Sequence, residues 1–164
     1  MTGANFLLEI DGKKILVDCG LTQGFQLADD INWDPFPYDG KAIDILFVTH
    51  AHVDHLGRVP KLINEGFRGK IYSTKPTKTL ALPMLEDTAG ILSKNAKLNL
   101  DKIYTAENIK LALSLWGGLE YHETLKITPD LEVSFLNAGH ILGSAMVKFV
   151  YNGKTILFTG DLGN

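Results

Sequence analysis

Only one cysteine, Cys19, occurs in the 164 residues, so no internal disulfide can staple the chain. A lone thiol suits a reducing compartment, and the cytoplasm is the expected location. Long apolar runs are also missing. No stretch approaches the roughly 18 residues of a membrane span, and no basic-then-apolar leader opens the chain. Internal repeats and low-complexity tracts are absent, and no linker separates one part from another. Neither sign of charge dominates. A net charge of −3 argues against binding nucleic acid through bulk positive charge. The 45% hydrophobic and 21% charged content is that of an ordinary globular chain, and the length favours a single domain over residues 1–164.

The charge that is present is uneven. Residues 56–80 hold Arg58, Lys61, Arg68, Lys70, Lys75 and Lys78 against Glu65 alone, whereas residues 29–44 hold five aspartates against Lys41. Two readings of the basic strip stand side by side. It is either a phosphate-attracting surface or an ordinary solvated helix face.

Histidine is concentrated rather than abundant. Residues 49–57, THAHVDHLG, place His50, His52, Asp54 and His55 within six positions. Imidazole and carboxylate are ligands that Zn²⁺, Mn²⁺ and Fe accept. In an extended chain i and i+2 point the same way, so His50 and His52 can grip one ion from one side. His55 breaks that parity, so the chain must turn near Asp54, and two adjacent ion sites suit the spacing better than one. The alternative is a solvated polar loop. The apolar run Ile45-Leu46-Phe47-Val48 enters the cluster directly, which favours a site held on a rigid strand.

Taken in order, residues 5–10 and 14–17 read as strands joined by an Asp11-Gly12 turn. The second ends at Asp18, which reads either as an acid orienting a ligand histidine or as a turn acid. Cys19 reads as a small buried hydrophobe. Residues 24–40 read as a loop or short helix whose aromatics either line a groove or, the favoured reading, anchor it to the body. Residues 58–64 predict a short helix, 69–73 a strand, 77–94 a helix broken or kinked at Pro83, and 105–116 a helix stopped by Gly117-Gly118. His122 has no helpful neighbours and reads as a surface residue. Residues 131–136, 145–151 and 155–159 predict strands, with an Asn152-Gly153 hairpin between the last two. His140 lies in the loop before the second of these, and Asp161 comes after the third.

Asp18, the string His50-Ala-His-Val-Asp-His55, then His140 and Asp161 together resemble the metallo-β-lactamase superfamily. The finer similarity is to its β-CASP branch, which includes ribonuclease J-like enzymes and cleavage and polyadenylation endonucleases. It is carried by ILVDCG at 15–20, VTHAHVDHLGRVP at 48–60, AGHILGSA at 138–145 and FTGDLG at 158–163. The resemblance implies an α/β fold, the αββα four-layer sandwich, present here only as an incomplete N-terminal part. It implies two divalent metal ions, with zinc favoured on ligand type. His50, His52 and His140 would hold the first ion, Asp54 and His55 the second, and Asp161 would bridge them. Asp18 would orient a ligand histidine, and Asp54 would position the nucleophilic water.

The implied activity is hydrolysis of RNA phosphodiester bonds by a hydroxide held between two metals. Single-stranded RNA would be the substrate of a longer protein, with homodimerisation left open and no membrane involved. A downstream histidine ligand, the β-CASP cap domain and the C-terminal part of the family pattern are not among these residues. The chain alone is therefore expected to be inactive or nearly so, and to expose a sheet edge and an apolar face. Other readings are a thioester, lactone or β-lactam hydrolase of the same superfamily and a non-catalytic scaffold.

Overall fold

Asp11 and Gly12 take φ of 50° and 69°, the paired left-handed values of a type I′ turn. They join β1 (Phe6–Ile10) to β2 (Lys13–Val17) as an antiparallel hairpin. The structure is a computed structural model, and it describes residues 3–23, 32–92 and 102–163. Three strands then add parallel to β2: β3 (Ile45–Phe47), β4 (Lys70–Thr74) and β5 (Trp116–Leu119). Parallel neighbours require crossovers. Helices α1 (Val53–Leu56) and α2 (Val59–Asn64) supply the one from β3 to β4, and α3 (Lys75–Leu92) and α4 (Ala106–Ser114) the one from β4 to β5. The second sheet is antiparallel, in the order β6 (Thr124–Lys126), β7 (Leu131–Asn137), β8 (Ala145–Tyr151) and β9 (Lys154–Phe158).

The first sheet is buried on both faces, so its central strands read as unbroken apolar runs. Leu16, Leu46 and Ile71 face the helices and pack with Leu56, Leu62, Ala81, Leu85 and Ile109. Ile15, Val17, Ile45 and Phe47 face the second sheet and meet Val133, Phe135, Val147 and Phe149. Phe47 is the centre of that layer, with ring centroids 5.5 Å from Phe149 and 6.0 Å from Phe135.

Helices, mixed sheet and antiparallel sheet make three of the four layers of an αββα sandwich among the described residues. The outer face of the second sheet is open, and two of the four edge strands, β1 and β9, carry exposed apolar side chains. Phe6 and Leu7 on β1 are 51% and 42% exposed, and Ile156 and Leu157 on β9 are 41% and 45% exposed. An open edge with apolar side chains is therefore present, whereas the open face mixes Lys126, Glu132, Ser134 and Lys148 with Leu136, Met146 and Val150. No described helix is long and apolar enough to cross a membrane.

Three local readings need correction. The helix expected over 105–116 ends at Ser114, and Trp116, Gly117 and Gly118 belong to β5. The glycines do not stop the helix. They let β5 lie against its neighbours, because a Cβ on Gly117 would meet the Tyr72 ring at 2.8 Å and one on Gly118 would meet Lys75 Cγ at 2.9 Å. Pro83 does not break α3, which runs unbroken through it with the proline on its exposed side. The expected end of that helix, residues 93–94, lies outside the described residues.

The third correction concerns the basic strip, which is not one continuous surface. Arg58 and Lys61 are buried, with Lys61 Nζ 3.8 Å above the Phe36 ring and 2.8 Å from Glu65. Arg68 donates to the carbonyls of Ile63 and Phe67, and Lys75 pairs with Glu120. The same packing bears out the aromatic anchor over residues 32–40, where Phe36 is buried and stacks on Tyr38 at 5.1 Å; residues 24–31 of that expected loop lie outside the described residues.

Candidate metal centre

The cluster forms where the parallel strands end, the usual place for a site in such a sheet. Asp18 comes directly after β2, Thr49 and His50 come after β3, and His52 precedes the single turn of α1 that carries Asp54 and His55. The second sheet brings His140 from the β7–β8 loop and Asp161 from beyond β9.

The first half is locked in backbone. Cys19 N–H donates to His55 O at 2.8 Å, Leu21 N–H to Val53 O at 3.0 Å and Arg58 N–H to Cys19 O at 2.9 Å. The Arg58 side chain adds a 2.5 Å bond from Nε to Gly20 O. Gly20 lies so close to α1 that a Cβ there would sit 1.6 Å from Asp54 O, so only glycine fits. Asp18 is held at a φ of 61°, a left-handed value that aspartate tolerates better than most residues.

Its carboxylate accepts three donors. Thr49 N–H reaches Oδ1 at 2.8 Å, while Thr49 Oγ1–H at 2.9 Å and His55 Nδ1–H at 2.7 Å reach Oδ2. Burial pushes the Asp18 carboxyl up, and these hydrogen bonds pull against it. Burial also works against charge on His55, yet the Asp18 carboxylate, with Asp54 and Asp161 behind it, raises that imidazole above its ordinary value. Burial, then repulsion from His55, His52 and His140, drives His50 down to about 3, which leaves its ring neutral at neutral pH.

The second half is held by turns. Ser144 Oγ accepts from the N–H groups of His140 and Ile141 at 3.0 and 3.1 Å. The hydroxyls of Thr74 and Thr77 both donate to Gly143 O, at 2.6 and 2.9 Å, and pin the loop to the start of α3. Gly163 N–H bonds to Ala138 O at 2.9 Å, with no room for a Cβ beside Gly139.

Four donor atoms converge: His50, His52, His140 and Asp161 each turn one ligand atom to a common point, all within 4.8 Å of one another. His52 Nδ1 lies 3.0 Å from His50 Nε2 and 3.3 Å from His140 Nε2. Asp161 faces both ways. Its Oδ2 is 3.9 Å from His50 Nε2 and 3.7 Å from His140 Nε2, and its Oδ1 is 3.3 Å from His55 Nε2. Asp54 stands next to His55, Oδ2 to Nε2 3.9 Å, and its buried Oδ1 has no hydrogen-bond partner. An orphaned buried carboxylate oxygen and imidazole nitrogens facing one another are costly alone and favourable around cations. The donor set fits divalent ions of the zinc type.

All seven residues singled out from the sequence thus lie in one place, at Asp18, His50, His52, Asp54, His55, His140 and Asp161. His122 is exposed and outside the cluster, as expected. Cys19 is a buried thiol, pushed up to about 12 by burial; it packs in the core and is not among the residues whose donor atoms converge. The sequence reading missed Thr49, Gly20, Ser144, Thr74 and Thr77. Only Thr49 left a local signal, a hydroxyl between a strand end and the first histidine. A cleft of about 660 Å³ opens beside the cluster, lined by Asn5, Phe6, Asp18, Asp54, Phe158 and Asp161 among others.

Residues 7–163 match the metallo-beta-lactamase superfamily domain. The chain is 39% identical over 164 residues to Ribonuclease TTHA0252 of Thermus thermophilus, covering all of this chain and 36% of that protein. It is 38% identical to transcription termination factor FttA of Methanosarcina mazei, covering 95% and 24% respectively, and 34% identical to Integrator complex subunit 11 of Danio rerio, covering 94% and 26%. The chain therefore spans only 24% to 36% of the length of these relatives. Among solved structures it resembles Zn²⁺-bound PqqB from Methylobacterium extorquens, with a TM-score of 0.54 over 92% of this chain and 46% of that one. At 14% identity that likeness speaks for the fold alone. Fold, motif order and the family match agree: the chain belongs to the metallo-β-lactamase superfamily.

Proposed function

We propose that this chain carries the ion-binding part of a metal-dependent hydrolase that cuts phosphodiester bonds in single-stranded RNA. The observation that carries the reading is the convergence of three histidine nitrogens and Asp161, with the unpaired oxygen of Asp54 beside them. The RNA substrate is supported by relatives named for ribonuclease activity and transcription termination. His50, His52 and His140 would hold one divalent ion, Asp54 and His55 a second, and Asp161 would face both through its two oxygens. Zinc is the favoured metal on donor type.

Two such ions, when bound, supply Lewis acidity to a phosphoryl group and lower the pKa of water to about 7. The chain's own residues do the placing. Asp18 fixes the His55 ring through Nδ1 and leaves Nε2 for the second ion. Asp54 would orient the attacking water and take its proton at Oδ1. The open cleft beside Asp54 and Asp161 gives a strand of RNA a path to the ions. We read residues 1–164 as one domain unit, working in a longer protein and in the cytoplasm, where Cys19 stays reduced. Alone, the chain is expected to turn RNA over far more slowly than its longer relatives.

The test uses a longer protein containing this chain. Labelled single-stranded RNA should be cut, cleavage should stop with a chelator and return with Zn²⁺ or Mn²⁺, and His52→Ala should abolish it. Preferential hydrolysis of a thioester, lactone or β-lactam would overturn the RNA reading. Unchanged RNA cleavage in His52→Ala would overturn the site.

A further inference from the structure

We propose that Thr49 is a positioning residue that sets the tautomer of His50, so that His50 presents the lone pair of Nε2 to a bound cation. This rests on reading the cluster as a cation site.

The inference comes from counting protons. Asp18 accepts from Thr49 N–H, from Thr49 Oγ1–H and from His55 Nδ1–H, and a carboxylate that takes three donors gives none back. A hydroxyl has one proton, and that of Thr49 goes to Asp18. His50 Nδ1 lies 3.0 Å from the same hydroxyl oxygen. With the hydroxyl proton committed, the only hydrogen bond open to this pair runs from His50 Nδ1–H to Thr49 Oγ1. A neutral imidazole carries one N–H, so Nε2 is left bare. That bare nitrogen faces His52 Nδ1 at 3.0 Å and Asp161 Oδ2 at 3.9 Å. One hydroxyl therefore passes the polarity of Asp18 to a second histidine that the carboxylate does not touch.

The hydroxyl cannot easily rotate away. Thr49 is buried, and its carbonyl is fixed by Ala145 N–H at 2.9 Å. Gly160, at a φ of 55°, packs so closely on the Thr49 side chain that a Cβ there would lie 2.9 Å from both Thr49 Cβ and Oγ1. The residue thus joins the two sheets at the point where they share the cluster. A partner behind a ligand histidine commonly fixes its tautomer, and losing it costs about 10–100-fold in metal affinity.

The experiment compares the wild-type chain with Thr49→Val, which keeps the shape and removes the hydroxyl, and with Thr49→Ser, which restores it. Long-range ¹H–¹⁵N spectra of the metal-free protein report the His50 tautomer, and competition titration reports Zn²⁺ affinity. His50 should carry its proton on Nδ1 in the wild type and in Thr49→Ser. In Thr49→Val it should lose that single tautomer, and Zn²⁺ should bind about 10–100-fold more weakly. A wild-type His50 protonated on Nε2 overturns the proposal without any variant, so it stays testable even if Thr49→Val does not fold. A Thr49→Val protein that keeps the Nδ1–H tautomer also overturns it, whatever its affinity. A wild type that shows the Nδ1–H tautomer but binds no Zn²⁺ overturns the cation reading instead.

Discussion

The two sheets contribute to one site under different constraints. The first sheet is covered on both faces, and its Asp18, His50, Asp54 and His55 are at most 5% exposed. The second is covered on one face, and its His140 and Asp161 side chains are 27% and 42% exposed. On the first side the ligands grow out of the core and are tied by a buried polar network. On the second they hang on glycine-bearing turns. Rigidity is thus built in on one side, while the other leaves room for solvent and substrate. A substitution on the first side should damage fold and site together, and one on the second should damage the site alone.

The sharpest contrast is in the packing. Phe47→Ala empties the layer between the sheets and should cost about 3–5 kcal/mol. Leu157→Ala, which pairs with Lys148 on the open face of the second sheet, should cost within about 0.5 kcal/mol, as surface changes usually do. Urea denaturation of both variants measures the gap, and equal losses would mean that the outer face of β9 is covered in solution. Next comes Asp18→Asn. It puts an amide N–H₂ against groups that are already donors, Thr49 and His55, and should cost about 2 kcal/mol in the metal-free chain. A loss that small changes of temperature or salt could mask would contradict a locked first half.

The second half predicts the opposite pattern. His140→Ala removes a half-exposed ring from the cluster and should leave metal-free stability within about 0.5 kcal/mol of wild type. Zinc content after equilibration should nevertheless fall from two ions per chain. One ion in the wild type would mean that the His55 and Asp54 side needs a further ligand. None would mean that the donors do not converge in solution.

The same division explains what could be read in advance. Strands, hairpins and the histidine string were legible because their signals are local: Asp11-Gly12, Asn152-Gly153 and alternation along β7 and β8 need no partner to be recognised. The seven site residues were legible partly because the string is dense and partly through family likeness. What failed was decided at a distance. Gly117 and Gly118 read as a helix stop until Tyr72 and Lys75 are seen beside them. Arg58 and Lys61 read as surface charge until the loop carrying Asp34 and Phe36 folds over them, with Asp34 O accepting from Lys61 Nζ at 2.6 Å. The hydroxyls that hold Gly143 O lie 66 and 69 residues away in sequence, beyond any local pattern.

The smallest predicted effect lies at the opposite end of the first sheet, where β3 begins. Asp44 accepts from Lys14 N–H at 2.9 Å and Lys13 Nζ at 3.2 Å, and its own N–H and C=O pair with Lys14 and Lys70. The bond from Lys14 N–H, more than the charge of Lys13, holds its carboxyl below the ordinary range, although burial opposes this. A carboxyl depressed in the folded state stabilises above its unfolded pKa of about 3.9, and that stability is lost as pH falls through the folded value. The group is 36% exposed, so after solvent screening the contribution should be only about 0.5 kcal/mol. Asp44→Asn should therefore differ from wild type in urea stability at pH 6 and converge with it below pH ~3. A difference that persists at low pH would mean that Asp44 acts through its shape and hydrogen bonds, not its charge. The two aspartates at the ends of this sheet would then differ in kind: Asp18 needs its charge to hold two donors and a histidine, whereas Asp44 would need only its oxygens.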